Sequence, residues 1–415
     1  MHKHDKIILG AGLAGLGLIA KLPDAVCYER ENQPLGHARS YSFGEIHYDQ
    51  GAHICHSKNA AWLGKLNIEN AKSITNAKVR NFDNGVFFDY PVQNNLKQIE
   101  KHLADKAITE IRELSLAAIE KEPSNYLDWC NLSYGLTLTD KYYRRFTKKY
   151  WRSEMEDLGT YWMGGRLIPV DLPNIEAGYL GNSADQSVFK SYYYPKGGGF
   201  ENLFEKLLDG KNTDQIIFCH DVVSVSTNEK IIYFANGLRV KYETLYSTIP
   251  LIAFVDSDKD APQLIKEKRK NLYHTSLFVL VVKYTKGTIN DAPDWFYIYD
   301  EDIDISRVFN ISSVSNYSGP DTYMQCETFR RNDEEYIESD VLAAMLEGAS
   351  KVFQAQPVEY TFRKIEFAYV VPTRDTPEIT KEILDYYRQH NIHFRGLYGK
   401  WNYVWSDAAY FDGLK

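Results

Sequence analysis

This 415-residue sequence predicts an α/β fold, with a mostly parallel sheet fed from both ends of the chain and a second unit of antiparallel strands and helices. Three observations predict it. An apolar strand at the N-terminus runs straight into a glycine-rich turn and an apolar helix. Short strand-like segments follow one another between residues 272 and 328. A second glycine-rich, aromatic stretch, His393 to Lys415, closes the sequence, so binding-type segments lie at opposite ends and the units must interleave.

Lys6–Leu9 reads as a buried strand. Gly10-Ala-Gly12-Leu-Ala-Gly15 follows, then a helical run from Leu16 to Leu22 stopped by Pro23, then a strand over Ala25–Glu29. Strand, glycine turn, helix and strand in that order make a Rossmann dinucleotide-binding unit. Gly10 allows the tight turn, Gly12 the approach of a pyrophosphate, and Gly15 the packing of helix on sheet. The helix N-terminus offers free N–H groups to phosphate, and Glu29 ends the second strand where a carboxylate can accept from ribose hydroxyls. The fingerprint alone leaves NAD and FAD open.

Helices are predicted at 59–70 and 94–121, with a hairpin over 79–90 that turns at Asp83-Asn84-Gly85. Residues 123–165 read as helical and dense in aromatic and basic side chains. Ser191–Pro195 is a strand and Phe200–Leu208 a helix. Strands follow at Ile216–Ser226, Ile231–Phe234 and Leu245–Pro250. Segments 272–284, 294–299, 304–313 and 322–328 form the antiparallel sheet, and helices come at 333–353 and 377–390. The domains expected are a discontinuous dinucleotide unit (1–90, 191–255 and 355–415), a helical substrate region (91–190) and a sheet domain (256–354).

The net charge is −8 with no basic stripe, which argues against nucleic acid as a partner. Five scattered cysteines, Cys27, Cys55, Cys130, Cys219 and Cys326, fit neither a metal site nor a disulfide framework and point to a reducing, cytoplasmic setting. The first strand leaves no room for a signal peptide before it, and no apolar run is long enough to span a membrane. The 31 tyrosines suit an aromatic cleft or β-rich structure equally.

Beyond Glu29 the chain carries Leu35-Gly36-His37-Ala38-Arg39-Ser40 and then Asp49-Gln-Gly51-Ala-His53-Ile-Cys-His56-Ser57. These segments, with Tyr90-Pro91-Val-Gln93-Asn94, Tyr194-Pro195-Lys196-Gly197-Gly198 and Gly396-Leu397-Tyr398-Gly399-Lys-Trp401-Asn-Tyr403, span the whole chain. They resemble the flavoproteins of the amine oxidase, protoporphyrinogen oxidase and UDP-galactopyranose mutase type, in the branch found with bacterial polysaccharide biosynthesis. The resemblance implies FAD as cofactor. It places Arg39 and Ser40 near the diphosphate and ribityl chain, backbone at Val222 or Val223 on the adenine, and Gly396 and Asp407 near the isoalloxazine and ribityl chain.

On the substrate side the resemblance implies His53, Tyr403, Arg166 and Arg152 as catalytic-pocket residues, with Lys190 and Tyr192 as further candidates and no metal. The sequence departs from the pattern in four places. His37 and Ala38 stand where a second glycine is common, and Leu397 and Asp171 stand where the mutases carry diphosphate-binding arginines. A helix behind the flavin is expected to be absent or very short.

The resemblance therefore implies an FAD-dependent oxidoreductase acting on a sugar or polysaccharide precursor. The alternatives are a mutase-like isomerase using reduced flavin N5 on a nucleotide sugar, and a non-catalytic flavin-binding partner in polysaccharide assembly. Partners are a small-molecule substrate, with a homodimer left open.

Overall fold

The computed structural model describes residues 2–116, 122–164, 167, 170–182, 191–208, 210–289, 292–315 and 317–415. Two seven-stranded sheets carry the architecture. The first runs Val222–Ser226, Ile231–Phe234, Arg239–Ser247, His2–Leu9, Val26–Tyr28, Ile216–Ile217, with Ile392–Phe394 also paired to Arg239–Ser247. His2–Leu9 is parallel to both neighbours, and Ile392–Phe394 is parallel to Arg239–Ser247. Ile7, Ile8, Leu9 and Leu245 are fully buried. Parallel strands covered on both faces read as unbroken apolar runs, which is why the N-terminal strand was legible.

The second sheet runs Glu359–Val370, His274–Thr285, Asp321–Arg331, Arg307–Asn310, Trp295–Ile298, Val79–Asp83, Val86–Asp89. It is antiparallel except where Trp295–Ile298 meets Val79–Asp83. Side chains alternate between its faces. Phe278, Leu280 and Val282 pack with Val341, Met345 and Ala349 of helix Glu338–Phe353. Leu277, Val279 and Val281 join the core shared with Tyr192, Tyr194 and Phe309.

The sequence reading needs correction at several elements. The hairpin around Asn84-Gly85 belongs to the second sheet, not the dinucleotide unit, and so does Glu359–Val370, a strand the sequence did not announce. That strand is an edge with most of its residues partly or fully exposed, so it lacks the apolar alternation of a half-buried strand. The helix expected at 59–70 is only Ala60–Leu63, capped by Asn59. The next begins at Lys101, after two 3-10 turns. Over 123–165, helices Tyr126–Leu138 and Arg144–Trp151 are joined by a π turn, and Arg152 (φ 52°) ends the run. Their buried faces form two clusters, around Ile108, Tyr134 and Leu138 and around Tyr126, Trp151 and Trp162.

At the C-terminal side the helix expected to be missing or very short is present as Ser406–Gly413 and packs on helix Leu13–Lys21. Among the described residues no helix is long and apolar enough to cross a membrane, and no cluster of His, Cys, Asp and Glu could hold a metal.

Behind the dinucleotide loops, the carboxyl of Asp49 accepts from Ser40 Oγ (2.6 Å), Tyr194 Oη (2.7 Å) and Phe200 N (2.9 Å). Burial outweighs these bonds and raises its pKa to about 6. The folded state then binds the proton more tightly than the unfolded chain, so this group's stabilisation is full below its unfolded pKa and is lost as pH rises through 6. Between pH 4 and 6, denaturation curves of wild type should show an extra loss of up to about 1.4 kcal/mol per unit relative to Asp49→Asn. A pH-independent difference between the two proteins would remove Asp49 as the cause.

Candidate functional site

A cleft of about 620 Å³ lies where the carboxyl ends of the parallel strands face the second sheet and the helical region. That volume is typical of a small-molecule or cofactor site. Gly10, Gly12, Glu29, Val222 and Gly396 line one half of it. Helix Leu13–Lys21 begins at Gly12 with no side-chain cap, so its first N–H groups are unspent. Gly10 has φ +91°, a conformation only glycine adopts freely, and a Cβ on Gly15 would run into the Gly10 carbonyl. Glu29 accepts from Ala11 N (2.7 Å) and Glu31 N (2.9 Å), so it organises the turn while its remaining lone pairs face the cleft.

Other expected cofactor residues stand one layer back. Arg39 is buried, donates to the Gly36 carbonyl (Nε, 3.3 Å) and pairs with Glu31 at 3.5 Å. Ser40 is spent on Asp49 and, through its N–H, on Glu201 (3.0 Å). Gly15 likewise packs beneath the turn, and Asp407 accepts from Ser57 Oγ (2.7 Å). None of the four lines the cleft. They shape the loops that do, because a motif residue conserves a loop's geometry as readily as a contact.

The other half is walled by aromatic rings. Tyr403 lies against Tyr369 (5.4 Å between centroids), Trp151 (5.6 Å) and Trp162 (6.3 Å). Tyr150, Phe146, Tyr297 and Tyr299 continue the wall. His53 lines the boundary between the halves. Its Nδ1 is buried without a partner among the described residues, and burial, with His37 and Arg307 nearby, lowers its pKa to about 3, so the ring is neutral.

Arg152, expected in the pocket, is turned away and forms a forked pair with Glu334 (Nη2 to Oε2 2.9 Å, Nε to Oε1 3.0 Å). Its left-handed backbone at the helix end aims it at the sheet domain's loop. Both partners are part-exposed, so Arg152→Ala is expected to cost no more than about 1 kcal/mol. Thermal melts with added cofactor test this, and a collapse of ligand-induced stabilisation would return Arg152 to the site. Tyr192 is buried against Trp295 and does not line the cleft. Arg166 and Lys190 lie outside the described residues.

The sequence reading missed Arg307. It lines the cleft, and its Nε (2.7 Å) and Nη2 (2.5 Å) contact Oε2 of Glu327, which is 0% exposed. Burial opposes its charge, but Glu327 and the surrounding tyrosines outweigh that and raise its pKa, so it stays a cation. Glu327 Oε1 takes the N–H of Ala52 (2.5 Å) and Gln325 Nε2 (2.9 Å). One carboxylate thus ties the cation to the Gly51-Ala52-His53 loop. Arg307 and Glu327 face each other in register across adjacent strands. The signal that could have found them is an arginine opening the apolar Val308-Phe309 strand and a glutamate in the middle of a buried strand.

Residues 8–66 match the family model of the NAD(P)-binding Rossmann-like domain. A sequence search of curated proteins gives no match. Among solved structures, reduced UDP-galactopyranose mutase superposes with a TM-score of 0.88 at 19% identity, over 99% of this chain and 94% of that one. A protein assigned as a protoporphyrinogen oxidase from Exiguobacterium sp. 255-15 gives 0.76 at 13% identity over 99% and 97%. Putrescine oxidase bound to putrescine gives 0.60 at 13% identity over 99% and 97%. At these identities what is shared is the fold.

Proposed function

We propose that this chain, whose fold is that of the FAD-dependent oxidoreductases and mutases, holds FAD in the glycine-lined half of its cleft and transforms an anionic, sugar-type small molecule in the aromatic half. The cleft fits the cofactor. Uncapped helix N–H groups at Leu13 and Ala14 suit a pyrophosphate, Glu29 suits a ribose, and the orphaned Nδ1 of buried His53 awaits a polar partner. Bound there, FAD supplies a hydride acceptor when oxidised and a nucleophilic N5 when reduced.

The observation that carries the substrate class is Arg307. Among the described residues its Nη1 has no partner, and no lysine or carboxylate among them lines the aromatic half with it. A desolvated guanidinium held by a carboxylate on one edge presents its other edge to a phosphate or carboxylate and repels an ammonium substrate. Tyr403, Tyr369 and Trp151 exclude water from that contact and offer faces to a sugar or base ring. This favours mutase-like isomerisation of a nucleotide sugar, with Arg307 holding the phosphate as the anomeric bond opens.

Leu397 favours the second reading, an oxidoreductase. It lines the cleft as an apolar side chain where the resemblance implies an arginine, which weakens the grip on a leaving diphosphate. The experiment is anaerobic incubation with UDP-galactopyranose and a panel of other nucleotide sugars, with and without dithionite. Isomer formation only after dithionite, with the flavin still reduced at the end, supports the mutase reading. Bleaching of oxidised flavin by substrate alone supports the oxidoreductase. Failure to take up FAD, read by absorbance, would end both.

A further inference from the structure

Gly36-His37-Ala38 is one 3-10 turn whose middle residue lines the dinucleotide half of the cleft, beside Gly12 and Ala52. The hydrogen bonds around His37 fix which of its nitrogens carries the proton. The Gln50 side chain contacts three groups: Gly36 O (3.5 Å), Tyr41 Oη (2.9 Å) and His37 Nδ1 (2.9 Å). A backbone carbonyl can only accept, so the amide nitrogen faces Gly36 and the amide oxygen faces Nδ1. Nδ1 therefore donates, and the neutral ring is left with a lone pair on Nε2, for which no protein partner is present among the described residues. The Tyr398 ring lies 5.0 Å away, tilted by 45°, but commits its hydroxyl to Phe367 and Ala368 carbonyls.

The charged and titratable groups facing the ring are Arg39 from its own segment, Arg30 from the loop after Val26–Tyr28, and His53 across the cleft. Burial first, then Arg39 and Arg30, hold the imidazole neutral, with a pKa lowered to about 4. A neutral acceptor with a fixed tautomer, deep in a cleft and near two cations, becomes a much stronger base when a negative charge arrives next to it.

We propose that His37 is the proton-accepting group of the cofactor site: when bound flavin takes a hydride (two electrons and one proton) from a reducing substrate, or two electrons from dithionite and a proton from solvent, to become the anionic reduced form, Nε2 of His37 takes one further proton from solvent and its imidazolium offsets the new charge. The overall change is two electrons and two protons, one on the flavin and one on His37. The inference rests on the FAD reading above. Gln50 is a positioning residue, since it acts by keeping the lone pair on Nε2.

The test is anaerobic spectroelectrochemical titration of the FAD-loaded protein from pH 5.5 to 8, reading the midpoint potential and the spectrum of the reduced flavin. Wild type is expected to show two protons per two electrons while the reduced flavin keeps its anionic spectrum, and His37→Gln one proton per two electrons. Gln50→Glu puts a carboxylate on the Nδ1 hydrogen and should extend the two-proton range to higher pH, which keeps the test decisive if His37→Gln fails to fold. A one-proton dependence in wild type overturns the proposal. So does a two-proton dependence with a neutral reduced-flavin spectrum, or one that survives His37→Gln and is lost in His53→Gln. Flavin uptake with any of those results leaves the FAD reading standing, whereas no flavin uptake overturns both.

Discussion

Glu327→Leu is expected to destabilise the folded protein by about 3–5 kcal/mol, because it strands the Arg307 guanidinium in an aromatic, water-poor wall with no counter-charge. Arg307→Met should cost a similar amount by stranding Glu327, which is 0% exposed. The Glu327→Leu/Arg307→Met double variant should recover a large part of the loss, since two apolar side chains of matching length can fill the space without a buried charge. The recovery will be incomplete. Glu327 also accepts the N–H of Ala52 and of the Gln325 amide, and those donors stay unsatisfied, each worth about 1–3 kcal/mol. Urea denaturation of the three variants and wild type measures the coupling. If the single variants were each within 1 kcal/mol of wild type, the pair would not be the buried, mutually dependent unit described here. Binding adds a second readout. The double variant should keep FAD binding in the glycine-lined half and lose affinity for phosphate-bearing substrates in the aromatic half, which separates Arg307's role in stability from its role in the site.

That pair also shows where sequence reasoning stops. The N-terminal strand, turn, helix and strand were legible because each obeys a local rule, and Gly10, Gly12 and Glu29 stand where those rules put them. The interleaving was expected because binding-type segments lie at opposite ends of the sequence, and in the structure strands from the start, the middle and the end of the chain, His2–Leu9, Arg239–Ser247 and Ile392–Phe394, pair in one sheet. Arg307 was not legible, because its meaning depends on Glu327, 20 residues on and one strand across. Arg152 misled for the opposite reason. It follows a run of aromatic residues that does line the cleft, but a left-handed backbone step at the helix end turns it toward Glu334. Arg39 and Ser40 sit between these cases, since the motif identified the right loop and not which residues touch its contents. Glu359–Val370 escaped because an edge strand with little buried surface carries no strong pattern.

The second large effect concerns Gly15. Its Cα lies so close to the Gly10 carbonyl that even a methyl group would overlap the oxygen. The opposing atom is backbone, in the turn that sets φ +91° at Gly10, so no side chain can rotate away. Either helix Leu13–Lys21 lifts off the sheet or the turn distorts. Overpacking a core with one methyl typically costs about 1–3 kcal/mol, and Gly15→Ala should fall at or above the top of that range. Gly17→Ala is the informative control. A methyl there would strike the Tyr410 carbonyl, which is equally close but belongs to helix Ser406–Gly413, eight residues long and near the end of the chain. That helix can shift without deforming the glycine turn. Melting temperatures should therefore fall further for Gly15→Ala than for Gly17→Ala. FAD retention through gel filtration should be abolished in the first and only reduced in the second, because the first moves the N–H groups proposed to receive the pyrophosphate while the second moves only the helix behind them. Equal loss of FAD in both variants would mean that the packing of the terminal helix, and not the turn at Gly10, sets the position of the helix N-terminus.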